Sequence, residues 1–307
     1  MTRTFWLKGV ALLTSIVLSA TLLAQQESPP NSLPIAEIEE FIDVLELIKK
    51  NYVAEKSDAE LIQYAINGML SSLDGQSRYL SPDQLKRFER IAKGIASSKG
   101  SISSSILESN IGYIKIESFY PSTAVEISSA VNQLLSDNIQ SLILDVRNNP
   151  GGRLDSAIET ANLFLDSGII VSAVGRVAQA NQIYTAQSDT IADNIPMVVL
   201  VNNNSASAAE ILTAALQDHQ RATVIGTRSY GKGTIQSLIY TKQAGIQITT
   251  SLYLSPSGRA IHNNGIKPDI VQPLNDLEDT ENADAQLQKA MAWLHKTTDQ
   301  KARGLIK

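Results

Sequence analysis

The sequence predicts an α/β protein built around parallel strands, and two observations carry that prediction. Between Ile111 and Leu165 the pattern switches twice from a short apolar, β-branched run to a longer helical period. Strand–helix alternation of this kind belongs to sheets whose strands run parallel. The theme returns at Met197–Val201, five apolar residues that pass through a polar loop into Ile211, Leu212, Ala215 and Leu216 at helical spacing.

Composition narrows the function classes. A chain of 307 residues with 43% hydrophobic content can bury one large or two modest cores. A formal net charge of −5 argues against nucleic acid as a partner. There is no cysteine, which excludes disulfides, thiolate catalysis, zinc–thiolate sites and lipid attachment through a cysteine. His219, His262 and His295 are scattered without metal spacing, and His219 beside Asp218 reads as a dipole partner at a helix end.

Taken in order, Arg3 and Lys8 precede an apolar run from Gly9 to Ala24, then Gln25-Gln26-Glu27 and Pro29-Pro30. Residues 1–24 thus read as a signal peptide or N-terminal anchor and 25–34 as a linker. The run is short for a transmembrane helix. Cleavage after Ala24 fits, although Leu22 is larger than the small residue preferred there, so an uncleaved membrane tether is the alternative. Both place the body of the protein outside the cytoplasm, periplasmic or otherwise extracytoplasmic.

Residues 35–92 form a helical segment. Ile38, Ile42, Leu45 and Ile48 mark one helix, and Leu61, Ile62, Ala65, Met69 and Leu73 a second, with Asp58 as its expected cap. The stretch Leu73-Asp-Gly-Gln-Ser-Arg-Tyr-Leu-Ser-Pro82 is a turn, with Pro82 opening a third helix. Residues 93–110 are a Ser-rich linker or irregular edge strand. The core runs from 111 to 274: strands at Ile111–Glu117 and Ser141–Val146, helices from about Ser122 to Asp137 and on to about Leu165, and strands at Thr234–Tyr240 and Ile246–Leu254. Residues 275–307 read as an acidic linker followed by a helix over Ala283–Leu294.

The chemistry lies in two loops expected at the carboxyl ends of parallel strands, where α/β sheets form their active crevice. Ser207 sits at a helix N-terminus, where free N–H groups and the helix dipole favour developing negative charge. Its plain alternative is a helix cap, since Ser207-Ala-Ala-Glu210 fits the capping box. A serine attacks a carbonyl only if a base removes its proton, and Lys232 is the best candidate. The glycine spacing before Lys232 also suggests a phosphate loop. That reading fails because Gly233 stands where Ser or Thr is needed, and a strand follows instead of a helix. The Asn148-Asn-Pro-Gly-Gly152 loop offers bare backbone N–H groups at Gly151 or Gly152, or simply ends a strand as an ordinary turn.

These residues resemble the active-site region of the C-terminal processing (tail-specific) serine peptidases, from about Ile111 to Pro273. The second serine of Ser205-Ala-Ser207-Ala matches the family nucleophile. The lysine of Gly231-Lys-Gly233 follows it by twenty-five residues, the family's spacing, and Gln236 matches the residue that orients it. Four residues apart on a strand, Lys232 and Gln236 are expected on one face. The resemblance implies an oxyanion hole from Ala208 and Gly151 or Gly152, and a Clp-protease/crotonase-like spiral of ββα units with an N-terminal helical segment. The Leu-Asp-x-x-Ser-x-Tyr-Leu turn matches the same family. Most members carry a PDZ domain after it, but Lys93 to Asn110 leaves 18 residues where a domain needs about 50.

The expectation is an extracytoplasmic endopeptidase with a Ser/Lys pair, acting without cofactor or metal on protein or peptide substrates, near C-termini or in unfolded chains. An adaptor or activator protein is a further expected partner. A catalytically silent peptide-binding or scaffold protein on the same fold is the alternative, and a crotonase-like enzyme that binds coenzyme A is a third reading.

Overall fold

The computed structural model describes residues 33–94, 100–187, 190–273 and 284–303. The expected signal segment, almost all of the linker after it, and the acidic stretch before the last helix lie outside the described residues. The chain divides into two compact units, residues 1–61 and 62–307.

In the first unit, α1 (Ile35–Asn51) has no buried residue, and Phe41, Ile42, Val44 and Leu47 are exposed. The second helix, α2 (Asp58–Leu73), begins in this unit and ends in the next. Its cap is Ser57 and not the expected Asp58. The Glu60 carboxylate accepts from the Ser57 N–H at 2.9 Å, and the Glu60 N–H donates to Ser57 Oγ at 3.3 Å. This reciprocal capping box places Asp58 inside the first turn, where it pairs with Lys49 at 2.7 Å.

The second unit continues with β1 (Arg78–Leu80), α3 (Pro82–Gly94), β2 (Ile102–Leu107), β3 (Ile111–Ile116), α4 (Thr123–Ser136), β4 (Ser141–Asp145) and α5 (Leu154–Asn162). Then come β5 (Ile169–Gly175), β6 (Gln182–Thr185), β7 (Met197–Val201), α6 (Ala208–Asp218), β8 (Thr223–Gly226), β9 (Thr234–Tyr240), β10 (Gly245–Leu254), β11 (Ile270–Val271) and α7 (Ala285–Ala302). Six strands form one sheet in the order β11-β8-β7-β4-β3-β2, parallel except for β2, which runs antiparallel to β3. The others form an antiparallel sheet, β1-β10-β5-β6, with β9 on the other flank of β10.

The parallel sheet is covered on both faces, and for that reason its central strands are continuous apolar runs without alternation. All five residues of β4 and all five of β7 are buried. Leu142, Leu144, Val199 and Val201 pack with Ile127, Ala157 and Leu212 from α4, α5 and α6. Ile143, Val198 and Leu200 point the other way, onto Ala290, Met291 and Leu294 of α7. The sequence reading left residues 166–196 without elements, and β5 and β6 lie there. Both belong to the antiparallel sheet.

Where β4 ends, a charged cluster is buried. Asp145 is fully buried, and the Arg147 guanidinium donates to its Oδ2 at 2.6 Å. Lys115 donates to Asp145 Oδ1 at 3.3 Å, and Tyr113 Oη donates to Oδ2 at 2.7 Å. Arg147 also donates to Asp284 at 2.6 Å, and Asp284 in turn accepts the Leu287 N–H that opens α7. The strand end that leads into the glycine loop is thereby tied to the C-terminal helix. Burial is the largest single effect and would raise the two carboxyls, but the hydrogen bonds and charge of Arg147, joined by Lys115 and Tyr113 at Asp145 and by the Leu287 N–H at Asp284, together outweigh it and hold both below the ordinary carboxylate value.

A depressed folded value means that the unfolded chain binds more protons as pH falls. The stabilisation is therefore complete well above pH 3.8 and is lost as pH drops through and below that value toward the folded pKa. Asp284→Asn is expected to flatten this acid dependence in urea titrations between pH 6 and pH 3. An unchanged slope would show that Asp284 carries none of it.

Candidate active site

The parallel pairing of β4 with β7 sets the site, because the loops leaving their carboxyl ends must lie side by side. Hydrogen bonds stitch them together. The Asn148 N–H donates to Asn202 Oδ1 and Asn202 Nδ2 donates back to Asn148 Oδ1, both at 2.9 Å. The Ala206 N–H donates to the Asn149 carbonyl at 2.9 Å. Ser205 is fully buried, and its hydroxyl donates to the Val146 carbonyl at 2.7 Å and accepts the Asn202 N–H at 3.0 Å. That hydroxyl is committed to the scaffold, whereas Ser207 is only half-buried.

The glycine loop reaches Ser207 because it lacks side chains. Gly151 has φ +103°, and a Cβ there would stand 2.8 Å from Ser207 Cβ. A Cβ on Gly152, at φ +143°, would stand 2.2 Å from the Phe119 carbonyl oxygen. Neither position accepts an L side chain. The two glycines differ as donors. Gly151 gives its N–H to Asn149 Oδ1 at 2.8 Å. Gly152 is exposed, and among the described residues its N–H has no acceptor. The Ala208 N–H, first of α6, likewise has none, as expected at a helix start.

Ser207 caps α6 with φ 56° and ψ −115°. This is outside the left-handed helical well as well as the common regions, and a non-glycine residue held there stores about 1–3 kcal/mol of strain. The Glu210 half of the capping box read from the sequence is present, its carboxylate taking the Ser207 N–H, while the Glu210 N–H goes to the Ser207 carbonyl. Glu210 is fully buried, and its carboxylate accepts from four donors: the Ser207 N–H at 2.9 Å, Ser229 Oγ at 2.6 Å, the Gly231 N–H at 2.6 Å and the Lys232 N–H at 2.8 Å. The Ser207 and Lys232 amides point at the same oxygen, Oε2. The Tyr230 N–H adds a bond to the Ser205 carbonyl at 3.0 Å. The serine loop and the lysine loop are thus held as one piece.

Lys232 is half-buried, and among the described residues no carboxylate pairs with it. It precedes β9, so strand alternation does not by itself place it on the face of Gln236. The face shared is that of Thr234 and Gln236, whose side chains bond at 3.1 Å. Gln236 Nε2 donates also to Thr249 Oγ1 at 3.0 Å, which directs the amide nitrogen into the sheet. His219, the C-cap of α6, bonds through Nε2 to the Ile169 carbonyl at 2.7 Å, a scaffold contact. Among the described residues no three of His, Asp or Glu cluster as a metal site. The sequence reading missed Asn148, Asn149, Asn202 and the wider role of Glu210. The asparagines flanking both loops were the visible signal.

A family model described as peptidase family S41 matches residues 110–272. A carboxy-terminal-processing protease of Bartonella bacilliformis is 29% identical, over 88% of this chain and 82% of that protein. A carboxyl-terminal-processing protease of Synechocystis is 43% identical, over 60% of this chain and 44% of its own length. Among solved structures, a photosystem II D1 C-terminal processing protease superposes with a TM-score of 0.62 at 20% identity, covering 75% of this chain and 86% of that one. A lipoprotein from Streptococcus agalactiae gives 0.58 at 19%, covering 84% and 89%. The architecture is the α/β, Clp-protease/crotonase-like fold of these proteins.

The four donors on Glu210 have no other acceptor of comparable strength. Glu210→Ala is expected to lower unfolding stability by about 2–4 kcal/mol in urea titration, because buried donors lose a charged acceptor. Ser205→Ala should cost about 1–2 kcal/mol. A Glu210→Ala protein as stable as the parent would refute the role given to this carboxylate.

Proposed function

The chain belongs to peptidase family S41, and on that premise we propose that it is a serine endopeptidase working through Ser207 and Lys232. Ser207 Oγ attacks the scissile carbonyl while Lys232, as the free amine, takes the hydroxyl proton. The tetrahedral oxyanion is met by the N–H groups of Ala208 and Gly152. Lys232 returns the proton to the departing amine, and an acyl-enzyme on Ser207 remains. Water, deprotonated by the same lysine, then attacks the ester and regenerates the serine. Gln236 orients the lysine. Gly151, whose N–H is given to Asn149, lets the loop close on Ser207 and is not the donor.

One observation carries this reading: the shared oxygen of Glu210, which holds the strained Ser207 and the backbone of Lys232 together. A scaffold protein has no use for that strain. Nothing in the site favours coenzyme A recognition, and the alternative readings gain no support of their own. Protein and peptide substrates follow from the family. Cleavage near C-termini or in unfolded chains, an extracytoplasmic location, a tether through residues 1–24 and an adaptor or activator partner belong to the same proposal.

Purified Ser207→Ala is expected to lose at least ~10³-fold in kcat/KM on an unfolded protein substrate. Lys232→Arg should be equally inactive, since a guanidinium stays protonated and cannot take the serine proton. Robust turnover by either variant would remove that residue from the mechanism.

The short connection between α3 and β3 generates a second expectation. A PDZ domain binds an extended tail by strand addition and captures its carboxylate, and the 16 residues between Gly94 and Ile111, six of them in β2, leave no room for one. One unstructured substrate with a free apolar tail, an amidated tail or a charged tail should be cleaved at rates within about tenfold of one another. A much larger preference for the free apolar tail, with no other protein present, would show that tail capture survives by another route.

A further inference from the structure

The antiparallel sheet has one face turned to the core and one turned outward, and the strand register sorts its residues between them. Tyr253 of β10 and its partner Ala173 of β5 are buried on the core side. Their neighbours Leu252 and Val174, also opposite one another, are 38% and 48% exposed. Residues paired directly across antiparallel strands share a face, so the register carries this outer face across the sheet. On β9 it falls on Thr234, the partner of Leu252, and on Gln236, which bonds to Thr234 at 3.1 Å. On β6 it falls on Ile183, the partner of Ser172, and the Ile183 side chain is exposed. Leu252, Val174 and Ile183 thus form an apolar strip on the face that carries Gln236. Resting on the serine peptidase reading above, we propose that this strip binds an extended apolar segment of the substrate, several residues away from the cleaved bond.

The other end of the same face is closed. Tyr240 Oη donates to Glu89 of α3 at 3.0 Å. A Cβ on Gly245 would stand 3.0 Å from Leu85 of α3 and 3.1 Å from Leu238, so that helix packs over the face beyond Gln236. On the opposite side of Gln236, Thr234 is buried, and from Leu252 outward the face is open. The strip therefore continues the strand of Gln236 in the one direction α3 leaves free.

Spacing and chemistry agree on an extended chain as the occupant. Neighbouring strands lie about 4.8 Å apart, which puts Val174 about 10 Å and Ile183 about 14 Å from Thr234. An extended chain advances about 3.4 Å per residue. A substrate crossing the sheet from the lysine loop thus meets Val174 and Ile183 about three and four residues further on. Three adjacent large apolar side chains in water form a patch, unlike single exposed residues. Folded proteins keep their own apolar side chains inside, so an unfolded segment is what can cover this one. Arg176, exposed two residues beyond Val174, disfavours a basic segment.

The experiment uses the full chain and unstructured peptides that share one cleaved sequence. Each carries a block, Leu-Val-Leu, Ser-Gly-Ser or Lys-Ser-Lys, placed about three to eight residues from the cleaved bond on either side. At the best placement, kcat/KM for the Leu-Val-Leu block is expected to exceed that for Ser-Gly-Ser by about tenfold, through KM, with Lys-Ser-Lys lowest. Val174→Thr and Leu252→Thr keep a good strand former in place and should each lower that ratio about threefold. Ile106→Thr, a comparably exposed apolar residue of β2, should leave the ratio unchanged. A misfolded fraction would lower all rates alike and not move the ratio. No block preference at any placement, or a ratio indifferent to both variants, overturns the assignment. Ser207→Ala on the same series separates the two levels. If it still cleaves, or if the parent cleaves nothing, the serine reading has failed and this one with it. If it is silent while the parent cleaves all the peptides equally, only the strip falls.

Discussion

The site depends on one buried carboxylate. Glu210 lies on the first turn of α6 with no solvent exposure, a placement that is costly unless its oxygens are fully bonded. Four donors converge on it, and three are backbone amides from chain segments twenty or so residues apart: Ser207, Gly231 and Lys232. Amides cannot rotate away as side chains can, so satisfying this carboxylate fixes the backbone of both loops together. The unusual φ and ψ of Ser207 follow from the same constraint. Its N–H must turn inward to Glu210 while its carbonyl accepts the first bonds of α6 from the N–H groups of Glu210 and Ile211.

The sheet supplies the second constraint. A parallel neighbour brings two strand ends to the same edge, and β4 beside β7 therefore delivers the glycine loop and the serine loop without any long excursion. Contact between them then depends on absent atoms at Gly151 and on the reciprocal amide pair of Asn148 and Asn202. Behind the glycine loop, Arg147 joins the end of β4 to the start of α7. The C-terminal helix is thus part of what keeps that loop in place, beyond its apolar packing on the far face of the sheet.

Much of this was legible in the sequence where local chemistry decides structure. The central strands are readable because burial on both faces forbids polar residues, and α4, α6 and β9 are readable from their periods. The motif around Ser207 and Lys232 was legible through its spacing. What escaped was set by tertiary partners. The Ser57 cap was missed because Ser57 and Asp58 are both good caps, and only the reciprocal reach of Glu60 decides between them. Strand β6 escaped because it is short and mostly exposed, whereas β5 opens on a largely buried apolar run, Ile169-Ile-Val171, that was too short to separate from the end of the preceding helical pattern. Glu210 was visible only as a capping residue, since three of its four donors come from elsewhere in space. The lysine and Gln236 were expected on one strand face, but the chain between them enters β9 only at Thr234.

The turn after α2 shows how a segment read as a simple connection reaches the site. Asp74 accepts from the Gln76 and Ser77 N–H groups at 2.7 and 2.6 Å, which folds the turn and presents Ser77. Ser77 Oγ accepts the Thr249 N–H at 3.2 Å, and Arg78 Nε donates to Gln247 Oε1 at 2.8 Å, so β1 is locked in register on β10. Thr249 is the residue whose hydroxyl accepts from Gln236. On the far flank, among the described residues, β9 pairs with β10 alone. Any slip of β10 would pass to β9 and to the lysine loop that opens it. The Asp74 turn is therefore a brace on β10, the strand against which Gln236 of β9 is held, and residues 74–80 before the core take part in the geometry of the site through that strand pairing.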